Sequence, residues 1–251
     1  MALLNKLYGA VNKEAFMDDF RNRALKPSWL NFDEFNSPQQ QGKKRPEVVK
    51  IIDATIDRIK LPTFDFDYLD VYDAIKNRRS VRKYQDGPIT LEVLSYLLYA
   101  TQGIEDPSKP FYRSAPSAGA RHAIETYVYC DRVEGLTKGL YLYLPLEHSL
   151  VLVHHNDINV LDEVEYFTFG APCTFMWTAI PYRMEWRYAH CSEKLILLDA
   201  GHICQNLYLA CESIGFGTCA VGAYDQDALD NFLDVDGENE FLIYAAPVGL
   251  K

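Results

Sequence analysis

The stretch Ser192–Ile214 reads SEKLILLDAGHICQNLYLACESI, and its reading decides the fold. Its apolar residues (Leu195, Ile196, Leu197, Leu198, Ile203, Leu207, Leu209 and Ala210 among them) fall on nearly every side of a helical projection. A helix without a clear polar face belongs inside a large core or a subunit interface. Gly215 follows it, where a left-handed residue commonly closes a helix. Upstream, Cys173–Ile180 (CTFMWTAI) is an almost unbroken apolar run of strand length. That pattern predicts a central strand buried on both faces.

Working outward, Thr126–Cys130, Leu140–Leu144 and Leu150–His154 read as short strands with turn residues between them. Asn156–Tyr166 reads as a helix. Asp225 caps a helix reaching Leu233, and Phe241–Val248 forms the closing strand. Toward the N-terminus, Thr90 caps a helix that buries Leu91, Leu94, Leu97 and Leu98 and stops at Gly103. Asp70 caps a shorter helix. After Pro46, apolar residues at 48, 49, 51, 52, 56 and 59 predict a helix over Glu47–Lys60, ended by Leu61-Pro62. Residues 1–45 are polar and irregular. The expected organisation is therefore an N-terminal extension, residues 1–60, that wraps the body or a partner, and one domain over residues 61–251. Strands and helices intermix without βαβ repetition or internal repeats, so the class is α+β on a mixed sheet.

The chain has 251 residues, near the upper limit for a single core. Its net charge of -10 argues against a nucleic acid or an anionic membrane as partner of the surface as a whole. No early apolar stretch reaches the length of a signal segment or a membrane span, which makes a cytoplasmic location the default expectation. The six cysteines form no CxxC pair and sit in apolar runs, as reduced core thiols do. His154-His155 has no third ligand in view, so no metal site is expected.

Against that acidic background, Lys76-Asn77-Arg78-Arg79-Ser80-Val81-Arg82-Lys83-Tyr84 concentrates cations. Two readings account for it: a grip on a desolvated anion, most simply a phosphate, or a solvated helix end at the negative pole of the dipole. Arg113-Ser114-Ala115-Pro116-Ser117-Ala118-Gly119-Ala120 is similarly open. Small residues around a proline leave backbone amides approachable by a flat ligand or a phosphate, and an ordinary surface turn uses the same letters.

Taken together, Arg78-Arg79-Ser80-Val81-Arg82, Ala115-Pro116-Ser117-Ala118-Gly119, and Leu197-Leu198-Asp199-Ala200-Gly201-His202 followed by Gly215-Phe216-Gly217-Thr218 and Ala220-Val221-Gly222 resemble the FMN-dependent nitroreductase superfamily. Within it they are similar to the SagB-type azoline dehydrogenases. The resemblance runs from about Leu61 to the C-terminus. It implies a nitroreductase-like mixed sheet flanked by helices, a long buried central helix, and an intertwined homodimer with two FMN sites at the interface. Arg78, Ser80 and Arg82 would hold the phosphate and ribityl chain, with Arg79 close by. Arg suits that work, because its rigid fork of donors matches phosphate oxygens. Pro116, Ser117 and Ala118 would approach the flavin ring from the other subunit, and Gly222 and Ala223 would bring backbone groups to the flavin N5. A basic residue commonly follows the last strand in this family. Leu250 stands at that place here, leaving Lys251 or the Arg cluster to serve.

In azoline dehydrogenases a Lys-Tyr pair ahead of the long helix is implicated in proton abstraction. This chain carries Arg187-Tyr188 there. Arg does not readily give up its proton, so Tyr188 would be the acid/base and Arg187 its electrostatic support. Simple packing of an aromatic residue and an Arg at a helix start is the alternative. The implied function is oxidation of a peptide-derived or small heterocyclic substrate. Two others compete: a nitro- or quinone reductase with NAD(P)H as transient donor, and a flavin-binding partner subunit of a peptide-modifying complex.

Overall fold

The computed structural model describes residues 24–158 and 165–251. Its centre is a seven-stranded sheet in the order β1-β4-β3-β2-β5-β7-β6. The strands are β1 (Ile59–Lys60), β2 (Ile124–Cys130), β3 (Gly139–Leu144), β4 (Ser149–His154), β5 (Cys173–Ala179), β6 (Phe216–Thr218) and β7 (Phe241–Leu250). The ladders between these strands are antiparallel. Parallel pairing enters through isolated bridges, Ser80 to Thr218 and Ile89 to Val133.

β5 lies between β2 and β7 and is buried along its whole length, as its apolar run predicts. Alternation sorts its side chains onto two faces. Cys173, Phe175, Trp177 and Ala179 join the core under two helices, α2 (Leu91–Gln102) and the long helix expected above. Met176 faces the other way, toward Tyr127, Tyr129, Leu229 and Phe232. The long helix runs Ser192–Ser213, preceded by a helix over Pro181–Tyr188 that the sequence reading missed. With α1 (Val71–Asn77) and the one-turn α3 (Glu165–Thr168), these are α4 (Pro181–Tyr188) and α5 (Ser192–Ser213), and α6 spans Gln226–Phe232.

The predicted caps are in place. Asp70, Thr90 and Asp225 accept hydrogen bonds from the amides of Asp73, Val93 and Ala228. Each satisfies a first-turn donor that would otherwise lack a partner. α5 buries Ile196, Ala200, Ile203, Leu207 and Cys211 on one stripe, while Leu197 and Leu198 stay 55% and 50% exposed. One chain therefore covers only part of its apolar surface. The six cysteines are unpaired and buried. His154 and His155 each bring a ring nitrogen to a backbone carbonyl, of Phe232 and Lys138.

The helix expected over Glu47–Lys60 is absent, and its last residues form β1 instead. The apolar periodicity there is carried by β-branched residues, which are weak helix formers. Asp53 turns its carboxylate onto the amide and hydroxyl of Thr55, and Arg58 donates to the carbonyls of Ile52, Asp53 and Ile56. Those side chains satisfy the carbonyls that a helical ladder would have used. Of the helix expected over Asn156–Tyr166, residues 159–164 lie outside the described residues, as do 1–23 of the extension.

From Ala24 onward the extension lies along the body. Gln39 and Lys43 exchange hydrogen bonds with Trp186, whose backbone carbonyl and indole N–H serve as acceptor and donor. Ser28 meets His190 and Cys191, and Lys50 reaches Tyr127 and Glu240 at 2.6 Å each. No helix among the described residues is long and apolar enough to cross a membrane.

Candidate active site

The basic stretch begins where α1 ends and runs along the edge of the sheet. Val81 donates its amide to the Thr218 carbonyl, and Gln85 donates to that of Leu250. Tyr84 aims its hydroxyl at the carbonyls of Val81 and Pro247. Two glycines admit this close approach. A Cβ on Gly217 would stand 2.7 Å from Val81, and one on Gly249 would stand 2.6 Å from Tyr84. The segment is therefore held by its apolar and backbone groups, which leaves its cations free for other work.

Arg79 and Arg82 are exposed and Arg78 is half-buried. Arg79 donates only to backbone carbonyls, those of Lys76 and Arg78. Arg78 lies over the Tyr208 ring at 5.2 Å. None of the three guanidinium groups pairs with a carboxylate among the described residues. Tyr208, on α5, ties this group to the next one. Its hydroxyl sits 3.0 Å from Ser80 Oγ and accepts the Ala220 amide at 2.8 Å. Beyond Ala220, Val221 pairs with Ala245 in both directions, and Gly222 and Ala223 follow on the surface. The amides of Gly222 and Ala223 make no hydrogen bond among the described residues.

The other expected residues gather near the opposite end of α5. Asp199, buried in that helix, accepts from Ser117 Oγ at 2.6 Å and from the Ala118 amide at 3.1 Å. Burial pushes the Asp199 carboxyl up, opposed by those two hydrogen bonds. Ser117 Oγ also accepts the His122 amide. Pro116–Ala118 is thus a braced loop rather than a loose turn. Gly119 follows with φ +56°, and Tyr188 and Arg187 press against it. A Cβ there would meet the Tyr188 hydroxyl at 2.4 Å and Arg187 Cδ at 3.2 Å. The Arg187 guanidinium lies over the Tyr188 ring at 5.6 Å. Trp29 and Phe32 from the extension pack on Tyr188, each at 6.0 Å between ring centroids.

The expected residues therefore form two groups, Arg78/Arg79/Ser80/Arg82 with Gly222/Ala223, and Pro116/Ser117/Ala118 with Arg187/Tyr188. Tyr208 and Asp199, which anchor them, stand about 14 Å apart along α5 at the usual helical rise. Lys251 lies beside the first group, its carbonyl accepting from the Gln85 side chain, while its ammonium pairs with Glu212. Sequence reasoning missed Asp199 and Tyr208 as positioning residues. The signal for Asp199 was a carboxylate in the middle of an apolar helix, between Leu198 and Ala200.

A phosphate-bearing cofactor fits the first group. Three guanidinium groups and a serine hydroxyl stand beside two amides, and among the described residues the guanidinium groups have no carboxylate partner and the amides no acceptor. Such donors match phosphate oxygens and the acceptor atoms of a flavin ring.

The nitroreductase family model matches residues 75–250, a span that includes both groups. The chain belongs to the nitroreductase family. It is 32% identical over 197 residues to "Putative nitroreductase MJ1384" of Methanocaldococcus jannaschii, covering 77% of this chain and 96% of that protein. It is 25% identical over 168 residues to the trifolitoxin-processing protein TfxB of Rhizobium leguminosarum bv. trifolii, covering 59% of this chain and 44% of that one. Among solved structures, the E. coli microcin synthetase McbBCD complex with truncated pro-MccB17 bound contains a similar fold. The TM-score is 0.58 at 17% identity, over 94% of this chain and 91% of that one. Nitroreductase-family membership makes the chain an oxidoreductase by family.

Proposed function

We propose that the chain is an FMN-dependent, SagB-like dehydrogenase that oxidises a peptide-derived or small heterocyclic substrate, working as a homodimer. One observation carries the reading: guanidinium groups at Arg78, Arg79 and Arg82, without a carboxylate partner among the described residues, are fastened through Tyr208 to the surface segment that carries the Gly222 and Ala223 amides. Likeness to a trifolitoxin-processing protein supports the peptide-derived substrate. The homodimer draws support from the exposed apolar residues Leu197 and Leu198 on α5 and Val71, Tyr72 and Ile75 on α1. Residues 1–60 serve in this reading as an extension for the body or a partner, and residues 24–60 of it lie along the body.

FMN, when bound, supplies hydride acceptance and release. Arg78, Ser80 and Arg82 bind its phosphate end, and Arg79 adds positive charge beside them. The Gly222 and Ala223 amides would hold the edge of the ring, and Pro116, Ser117 and Ala118, braced by Asp199, would approach it from the partner subunit and exclude water. Tyr188 holds or moves the substrate proton at its hydroxyl, and Arg187 stabilises the charge that develops there.

Purified protein should carry flavin absorption, and the released flavin should be FMN. Arg78→Ala with Arg82→Ala should lower FMN affinity at least about a hundredfold while leaving the fold intact, because each lost charged contact counts for roughly 1.5–3 kcal/mol. A colourless protein that takes up no FMN sinks the proposal.

A second reading, a nitro- or quinone reductase fed by NAD(P)H, is favoured by Arg187, which cannot serve as a proton acceptor. Stopped-flow mixing with NADPH and NADH separates the two. Fast bleaching of the flavin would favour the reductase.

A further inference from the structure

Arg45, Arg121 and Arg187 come from three distant parts of the chain and meet at the backbone of Gly119 and Ala120. Arg45 Nη2 and Arg121 Nη2 both donate to the Ala120 carbonyl at 3.3 Å, and Arg121 Nε donates to that of Gly119 at 3.1 Å. Arg187 Cδ is 3.2 Å from the place a Cβ on Gly119 would take. Each guanidinium keeps a buried nitrogen with no acceptor among the described residues: Arg45 Nε, Arg121 Nη1 and Arg187 Nε. Arg121 is only 3% exposed and rests on the Trp186 ring at 5.1 Å. Arg187 has no hydrogen bond or ion pair with any described residue.

Among the described residues, no carboxylate forms an ion pair with these three groups. Behind them, Arg183 pairs with Glu125 at 2.6 Å, while Arg113 is met by neutral acceptors, Gln102 Oε1 and the Val48 carbonyl. Glu47, whose charge favours the Arg45 cation, is exposed and pairs with Lys44. The His122 ring is held neutral, its pKa pulled to about 4 by burial and then by the Arg113 charge. Buried N–H groups without acceptors are costly, and unneutralised cations resist desolvation. A bound oxyanion would relieve both costs.

We propose that Arg45, Arg121 and Arg187 form a binding site for the carboxylate or phosphate group of a small acidic molecule, next to Tyr188. Partly exposed Arg45 and Arg187 flank the entrance, and Arg121 forms the floor. The site is separate from the Arg78–Arg82 cluster, which lies at the other end of α5. Resting on the oxidoreductase reading, the same placement makes the substrate itself anionic, with its charged group anchored beside the residue that handles its proton.

The test is isothermal titration of the protein as purified, at low ionic strength, with glutarate, with neutral glutaramide and with inorganic phosphate. One saturable site per chain is expected for glutarate, for phosphate or for both, and none for glutaramide. Saturation by glutarate alone identifies a carboxylate site, and by phosphate alone a phosphate site. Arg45→Gln gives up one long hydrogen bond and a contact with the Phe111 ring, both at the surface, so it should fold and should weaken the anion about tenfold. Arg187→Gln should weaken it similarly. The proposal is overturned if neither anion saturates a site, if glutaramide binds as well as glutarate, or if both variants bind as the parent does. It is also overturned if Arg78→Ala with Arg82→Ala abolishes the binding, which would move the anion to the other cluster. The titration does not need bound flavin, so a failed FMN reading leaves this result standing.

Discussion

The molecule holds two arginine clusters, built in opposite ways. Arg78, Arg79 and Arg82 are contiguous in sequence, largely exposed, and held at the sheet edge by Val81, Tyr84 and backbone hydrogen bonds. Arg45, Arg113, Arg121, Arg183 and Arg187 are scattered in sequence, and the fold collects them around residues 119–125. Removing a cation from the first set leaves its scaffold untouched. Removing Arg113 or Arg183 from the second strips a donor from the carbonyl of a buried residue, Val48 or His122. The first cluster should therefore govern ligand content, while the second should govern both binding and stability.

The largest effect expected on that contrast is at Arg183. It pairs with Glu125, both nearly fully buried, and also donates to the His122 carbonyl at 3.0 Å. Arg183→Ala would strand the Glu125 carboxylate in the core and should destabilise the chain by about 3–5 kcal/mol. Urea unfolding measures it; a loss below about 1 kcal/mol would mean that the two clusters are energetically alike.

Next in size is a pH effect from His122. Burial and neighbouring guanidinium groups pull its pKa from 6.5 to about 4. Between those values the unfolded chain takes up a proton that the folded chain refuses. Stability is therefore full above pH 6.5 and drains as pH falls toward 4, by about 3 kcal/mol. His122 also sits at φ +48°, a conformation that Asn tolerates. His122→Asn should flatten that acid limb of the urea midpoint against pH. An unchanged slope would place the acid sensitivity elsewhere.

The same contrast explains what could be read from sequence. Local signals were legible: Asp70, Thr90 and Asp225 as caps, the apolar run of β5, and the basic stretch as a contiguous charge anomaly. Each depends on neighbours within a few residues. The helix expected at 47–60 failed because Arg58 and Asp53 satisfy the backbone there, and apolar periodicity carries no trace of that competition. α4 and β6 were missed as separate elements because they are short and sit beside stronger signals. The second arginine cluster was illegible for a deeper reason. Its members lie up to 142 positions apart, and only the packing of the 24–50 segment onto α4 brings Arg45 to Arg121 and Arg187. Tyr208 was invisible in the same way, as one more aromatic on an apolar helix.

That tyrosine offers the finest test of the comparison, with the smallest expected effect. Its hydroxyl joins Ser80 to the Ala220 amide, so it couples the cationic segment to the one carrying Gly222 and Ala223. Tyr208→Phe keeps the ring under Arg78 and removes only that oxygen. Two hydrogen bonds are lost, one of them from a backbone amide, for about 1–2 kcal/mol of stability. If the two segments grip one flavin, the loosened register should also weaken FMN several-fold, read by fluorescence titration at unchanged ionic strength. Should stability drop while FMN affinity holds, the arginines bind their phosphate without help from residues 220–223. The first cluster would then be an independent anion grip, and Gly222 and Ala223 would have no part in holding the ring.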